Sequence, residues 1–245
     1  MLMHTAPSSD NFVLMNATVP AVVAPALNHL PAKQGLVRAD ITVRNGIIER
    51  FGSAPADLEL VDLRGGMVWP GFVDMHTHID KGHIWPRTPN PDGSFMGALE
   101  AVRFDREAFW KTPDVTRRME FSLKCAFAHG TRLLRTHIDV VNPQDWVALK
   151  AFDQCRSNWA GRIELQAVGL FALDDMVNQK FFGDLLTALR THNAILGGIA
   201  SNGPQVAKQL DQFFQSAIDN DLEVDLHVDE SNDPEARTLE HRAVI

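Results

Sequence analysis

Beyond residue 66, apolar runs of strand length alternate with longer segments whose apolar residues recur at helical spacing. The strand-like runs are residues 67–75, 132–138, 162–171, 194–200 and 222–228. The helical segments are residues 115–129, 142–158, 174–192, 204–220 and 234–245, with a shorter helix at 96–104 inside the long segment 81–110. This alternation is typical of parallel βα units. The pattern therefore predicts an α/β fold with about five βα units.

The N-terminal part has a different pattern. Short strand-like runs occupy residues 12–19, 37–43 and 58–63, and Asn45-Gly46 lies where a tight hairpin turn is expected. We expect residues 1–66 to form part of a small β-sandwich built from an antiparallel sheet. Residues 67–245 would form the second domain.

Two histidines follow the first strand of the second domain. His76 and His78 are two residues apart, so their side chains leave the same face of a strand. Two neutral imidazoles at a strand end can form half of a divalent metal site. The alternative is a pair of surface histidines in a loop, but the preceding apolar strand and the flanking Asp74 and Asp80 favour the metal site.

A third histidine follows the last strand-like run. In residues 222–230, Asp225, His227 and Asp229 share one face and apolar residues share the other, with Glu230 just beyond. A catalytic zinc or iron needs about three protein ligands, an open position and a carboxylate that moves protons. His76, His78 and His227 with Glu230 match that description.

Three segments together resemble the amidohydrolase superfamily, and within it the cytosine deaminase branch. They are His-Thr-His-Ile-Asp-Lys at 76–81, Arg-Thr-His-Ile-Asp-Val at 135–140 and His-Val-Asp-Glu at 227–230. The resemblance implies a (β/α)8 TIM-type barrel with its site at the carboxyl ends of the strands. It also implies a metal-dependent hydrolase of a non-peptide C–N bond that releases ammonia by attack of metal-activated hydroxide. The leading hypothesis is a deaminase of cytosine or of a related cyclic amidine.

Further residues near these segments are candidates for supporting roles. His137 shares a strand face with Arg135, and it either orients a metal ligand or belongs to a structural polar network. Asp80 and Lys81 are expected to form a supporting ion pair. Trp85 in the long segment is a candidate for substrate contact, although ordinary packing explains it equally well. Phe171 at the end of the third strand is a further candidate.

The chain departs from the family pattern in three ways. A full barrel takes about 250 residues by itself, which residues 67–245 do not provide, so we expect an N-terminal portion of a longer enzyme. The family's further His and Asp ligands cannot be placed, and His241 falls inside a predicted helix. The third strand ends in Gly-Leu-Phe-Ala-Leu at 169–173 without the glutamine of cytosine deaminases, so cytosine itself is not assured. A non-catalytic truncated chain, or an enzyme acting on a cyclic amide, imide or N-alkylaminotriazine, remains an alternative.

Composition restricts the classes of molecule that the protein is expected to bind. The 245 residues carry a net charge of -8, which argues against nucleic acid or an anionic membrane as a partner. The fourth strand offers no lysine or carboxylate to bridge two metals, so one divalent ion, iron or zinc, is expected. Two cysteines without metal-ligand spacing favour a reduced cytoplasmic protein. We expect the substrate to be a small molecule, an amino-substituted nitrogen ring. The sequence leaves open whether the protein forms a homo-oligomer.

Overall fold

The structure is a computed structural model, and its chain forms two compact units, Met1–Pro70 and Gly71–Ile245. The residues that it describes are 7–27, 29–53, 55, 57–90, 92–141 and 146–242.

The first unit is a four-stranded sheet in the order β3-β2-β1-β4. Its strands are β1 (Phe12–Pro20), β2 (Leu36–Arg44), β3 (Ile47–Phe51) and β4 (Glu59–Asp62). Asn45 and Gly46 make the predicted turn between β2 and β3 with φ angles of 52° and 73°, the left-handed values that such turns require. The sheet is not purely antiparallel as predicted, because β4 pairs with β1 in parallel on the edge opposite β3.

The predicted first barrel strand begins later than expected. Met67 forms a parallel bridge with Thr18, and the Val68 N–H donates to the Thr18 carbonyl at 2.9 Å. These two residues therefore belong to the first unit. Pro70 has no N–H to donate, and the parallel sheet starts only at Phe72.

The second unit is built on a five-stranded parallel sheet in which the strands follow one another in sequence order. Its strands are β5 (Phe72–Thr77), β6 (Thr131–Asp139), β7 (Glu164–Leu170), β8 (Ile195–Ala200) and β9 (Val224–Val228). Its helices are α1 (Phe95–Phe109), α2 (Thr112–Ala128), α3 (Val147–Asn158), α4 (Gln179–Thr191) and α5 (Val206–Asn220). The predicted order of parallel βα units is confirmed.

One hydrophobic core joins the sheet to helices α2 to α5, with Leu149, Phe152 and Phe213 fully buried in it. Gly197 is needed where β8 meets β7, because a Cβ there would lie 2.4 Å from Val168 Cγ1 and 2.8 Å from the Gly169 carbonyl oxygen. Among the described residues, no helix has the length and apolar character needed to cross a membrane.

Several helix boundaries differ from the predictions. The segment 174–192 is divided into a 3-10 turn at Leu173–Val177 and α4, which Asn178 caps by accepting from the Phe181 N–H at 3.1 Å. The N-terminal turn predicted around Pro143 lies outside the described residues. The helix predicted from residue 234 is wrong for the described part, which forms a 3-10 turn at Thr238–Arg242. There the Asp229 carboxylate accepts from the N–H groups of Thr238 and Leu239 and so holds a tight turn.

Candidate active site

Four imidazoles meet at the carboxyl edge of the parallel sheet. His76 lies one residue before the end of β5, His78 follows β5, His137 is on β6 and His227 is on β9. The rings of His76 and His227 lie 4.7 Å apart between centroids, although β5 and β9 are the two edges of the sheet. The sheet must therefore curl so that its first and last strands approach each other, as in part of a barrel.

The three histidines predicted as metal ligands are brought together. The centroid distances are 5.3 Å for His76–His78 and 5.4 Å for His78–His227. His137 lies equally close, 4.3 Å from His76 and 4.8 Å from His227. One nitrogen from each of His76, His137 and His227 falls within 4.8 Å of the other two. The cluster thus contains His137 besides the predicted set, and the trio with nitrogens this close includes His137 and not His78.

A backbone carbonyl orients His78. Its Nδ1 lies 3.1 Å from the carbonyl oxygen of His137. A carbonyl can only accept, so Nδ1 must carry the proton and Nε2 holds the free lone pair. The carbonyl of β6 therefore prepares Nε2 of His78 to bind a cation.

The electrostatics keep His78 and His227 neutral. Burial, aided by Lys81 and the neighbouring histidines, lowers the pKa of His78 to about 4. Burial together with His137 and His76 lowers the pKa of His227 to about 4. Neutral imidazole is the form that ligates metals. Both ring nitrogens of His227 are buried and have no hydrogen-bond partner among the described residues, an arrangement that costs free energy unless a ligand occupies it. The donor set fits a divalent metal ion.

Sequence reasoning missed a polar network beside the cluster. Asp225 lies with Oδ1 3.2 Å from His137 Nε2, and its Oδ2 accepts from Arg135 Nη1 at 3.0 Å. Arg135 also donates from Nε to Gln166 Oε1 at 3.0 Å. Burial would raise the pKa of Asp225, but His137 and Arg135 lower it, so the carboxylate is charged. The alternation of apolar and polar residues in 222–230 already predicted that Asp225 and His227 share a strand face. The sequence did not show which other strand carries the partners of Asp225.

Asp80 and Lys81 form an ion pair at 3.8 Å, but a second carboxylate is the closer partner. Lys81 Nζ donates to Asp139 Oδ1, and the Asp139 N–H donates to Asp80 Oδ2 at 2.8 Å. Burial raises the pKa of Asp80 to about 6 against the opposing effect of Lys81. Burial would also lower the pKa of Lys81, but Asp80 and Asp139 raise it. Lys81 therefore stays cationic three residues beyond His78.

The remaining candidates lie apart from these contacts. Glu230 is exposed just beyond β9, where it lines a cavity of about 250 Å³ with Asn202 and Ser231. Trp85 is exposed. Phe171 is buried in the core against Phe181 and Phe182, a location that favours packing over substrate contact.

Comparison with known proteins agrees with this geometry. Residues 59–143 match the model of the amidohydrolase family. The chain is 52% identical over 236 residues to a pterin deaminase from Rhizobium rhizogenes, covering 95% of this chain and 54% of that protein. It is 25% identical over 179 residues to an N-isopropylammelide isopropyl amidohydrolase from Pseudomonas sp., covering 69% of this chain and 43% of that protein.

The fold also matches a solved structure. A 5-methylcytosine deaminase from Klebsiella pneumoniae superposes with a TM-score of 0.75 at 22% identity, over 94% of this chain and 54% of that one. This likeness confirms the predicted α/β barrel class for the part of the fold that the chain spans. The chain spans about half the length of the curated relatives it matches. Motifs, fold and relatives agree, and the chain belongs to the amidohydrolase superfamily.

Proposed function

We propose that the protein is a metal-dependent hydrolase that removes an amino group from a nitrogen heterocycle, with pterins as the first substrate class to test. The observation that carries the proposal is the convergence of imidazoles from the end of β5, from β6 and from β9, with His78 and His227 held neutral. The 52% identity to a pterin deaminase supports the substrate class. The missing glutamine after β7 makes cytosine the weaker candidate.

His76, His78 and His227 would hold one divalent ion, zinc or iron. Bound there, the metal would supply the Lewis acidity that makes water nucleophilic near neutral pH. The His137 carbonyl fixes the tautomer of His78, and the Asp225 carboxylate lies 3.2 Å from Nε2 of the His137 ring. These contacts orient the ligands in the way that neighbours of metal ligands commonly do.

Glu230 is the proposed proton carrier. In the reaction, water adds oxygen to the ring carbon that bears the amino group, and the C–N bond to that group breaks. Glu230 would take a proton from water, pass it to the adjacent ring nitrogen and then to the departing amine, which leaves as ammonia. Glu230 is exposed just beyond β9, three residues after His227, and this position supports the role.

Hydrolysis of an N-alkylamino substituent is the second candidate. It is favoured by the relative named N-isopropylammelide isopropyl amidohydrolase. The same water attack would then release an alkylamine instead of ammonia. The two candidates differ in the leaving group, so product analysis separates them.

We also propose a cytoplasmic location, because Cys125 and Cys155 are both free thiols, as is usual in reducing compartments. The partner would be a small molecule rather than nucleic acid or a membrane, in keeping with the net charge of -8. The oligomeric state of the protein is to be determined by measurement.

The experiment measures ammonia and alkylamine release by the natural protein from pterin, cytosine and N-isopropylammelide, together with metal content. We expect ammonia from pterin, loss of metal in His76→Ala and His78→Ala, and retained metal with turnover lower by about 10²- to 10⁴-fold in Glu230→Gln. His29→Ala, at an exposed histidine of the first unit, is the matched control. Failure of the metal-loaded protein to act on any of these rings would contradict the proposal, and a metal-free Glu230→Gln protein would make Glu230 a ligand.

A further inference from the structure

Helix α1 lies at the carboxyl edge of the parallel sheet but buries little of its apolar surface. Phe95, Met96, Leu99 and Phe104 are all exposed. Of the residues of α1, each of which the structure describes, only Asp105 is buried. A surface helix usually attaches through an apolar stripe, so α1 must be held in another way.

Two consecutive charged residues attach the helix. Arg106 Nη1 donates to Asp139 Oδ2 at 2.5 Å, and these side chains are 22% and 12% exposed. Asp105 accepts from Arg87 Nε at 2.6 Å and from Trp110 Nε1 at 2.8 Å. Arg87 also donates to Asp114 of α2 at 2.8 Å, so the Asp105 contacts tie α1 to α2. The Arg106–Asp139 pair, called the latch below, is the contact that reaches the end of β6.

The Asp139 end of the latch lies among charged side chains that are close in sequence to the imidazoles. Asp139 lies two residues beyond His137, and its other carboxylate oxygen binds Lys81, three residues beyond His78. The Asp139 carboxylate would therefore keep a cationic partner if Arg106 were lost. Removing Arg106 should loosen the attachment of α1 to the end of β6 and leave the proposed metal-binding histidines in place.

The packing beside the latch is incomplete. A cavity of about 60 Å³ lies beside the latch, lined by Arg106, Trp110, Asp139 and Trp146 among other described residues. It is large enough to hold water. Water can therefore solvate the two charges when they separate.

We propose that α1 is a movable cover over the substrate side of the site, and that Arg106 is a positioning residue that holds this cover closed through Asp139. The proposal rests on the proposed function and adds the element that closes over the heterocycle. Closure of such segments excludes water and improves substrate binding, whereas the chemical step depends on the metal ligands and the proton carrier. The latch should therefore affect KM more than kcat.

The test compares Arg106→Gln with Arg103→Gln, which changes an exposed arginine of the same helix. Hydrogen exchange of the α1 amides, metal content and the kinetics with pterin are measured for the natural protein and both variants. In Arg106→Gln we expect exchange in α1 and KM each to rise about tenfold, with kcat within about twofold and metal content unchanged. Arg106→Lys, which keeps the charge, should be intermediate. Arg103→Gln should match the natural protein.

Two results would overturn the proposal. One is α1 exchange in Arg106→Gln equal to that of Arg103→Gln. The other is exchange that rises equally in α1, α2 and β6, with loss of metal or of kcat at constant KM, which would show a general structural role. If Arg106→Gln does not fold, the same criteria apply to Arg106→Lys. Absence of turnover in the natural protein would contradict the proposed function, whereas the exchange data would still support or reject the latch.

Discussion

Helices α1 and α3 have similar lengths and the same helical repeat, yet they attach to the fold by different forces. Helix α3 buries Ala148, Leu149, Ala151, Phe152 and Cys155 against the sheet. Helix α1 leaves its aromatic residues exposed and buries an aspartate. Apolar burial is non-directional and holds α3 on the outer face, whereas α1 depends on a few directed ion pairs at the edge that bears the imidazoles. The comparison indicates that the apolar core is independent of the element beside the site.

The largest expected effect comes from removing the same side chain in the two helices. Phe152→Ala leaves a cavity in the core and should lower the free energy of unfolding by about 3–5 kcal/mol. Phe104→Ala, at an exposed position of α1, should change it by less than about 0.5 kcal/mol. Urea unfolding followed by circular dichroism measures both. Similar losses in the two variants would show that α1 also packs through its apolar residues.

A smaller effect is expected from acid. Arg87 lowers the pKa of Asp114, and Arg87, Thr88 and Trp110 lower the pKa of Asp105 against the opposing effect of burial. A carboxylate whose pKa is lower in the folded than in the unfolded protein contributes its full stabilisation of the fold above the unfolded pKa, about 3.9. It loses this contribution as the pH falls through its folded pKa. Helix α1 should therefore loosen below about pH 4, before α3 does.

Hydrogen exchange at pH 5 and pH 3, corrected for the intrinsic rates, checks this difference. Arg87→Gln serves as the control, because its α1 should already be loosened at pH 5 and should change less on acidification. Equal protection of α1 and α3 at both pH values would contradict an attachment through ion pairs.

The smallest expected effect is a difference in reactivity between the two thiols, one on a buried helix face and the other on an exposed one. Cys155 faces the core from α3, and burial, aided by Glu120, raises its pKa to about 12. Cys125 is exposed on α2. Because the thiolate is the reactive form, a thiol reagent should modify Cys125 in the folded protein and both cysteines after denaturation. Rapid modification of Cys155 in the folded protein would show that α3 opens more readily than its burial indicates.

Much of the fold was predictable because its signals are local. The apolar runs that became β6 to β9 alternate with helical repeats along the chain, and Asn45-Gly46 carries its own backbone preference. The parallel pairing of β4 and the transfer of Met67 and Val68 to the first unit were not predictable, because each depends on a partner strand distant in sequence. The helix predicted from residue 234 failed because the Asp229 carboxylate caps a short turn instead.

The features of the candidate site also fall into those that the sequence predicts and those that depend on the tertiary structure. The sequence by itself predicted that His76 and His78 lie together at the end of β5, and that Asp225 and His227 share a face of β9, because strand side chains alternate with a period of two. Only the tertiary structure decided that the sheet curls until β9 meets β5, that His137 joins the cluster, and that Asp139 binds both Lys81 and Arg106. The physical reason is that side-chain direction follows from local backbone geometry, whereas contacts between distant strands depend on the accumulated twist of every strand between them.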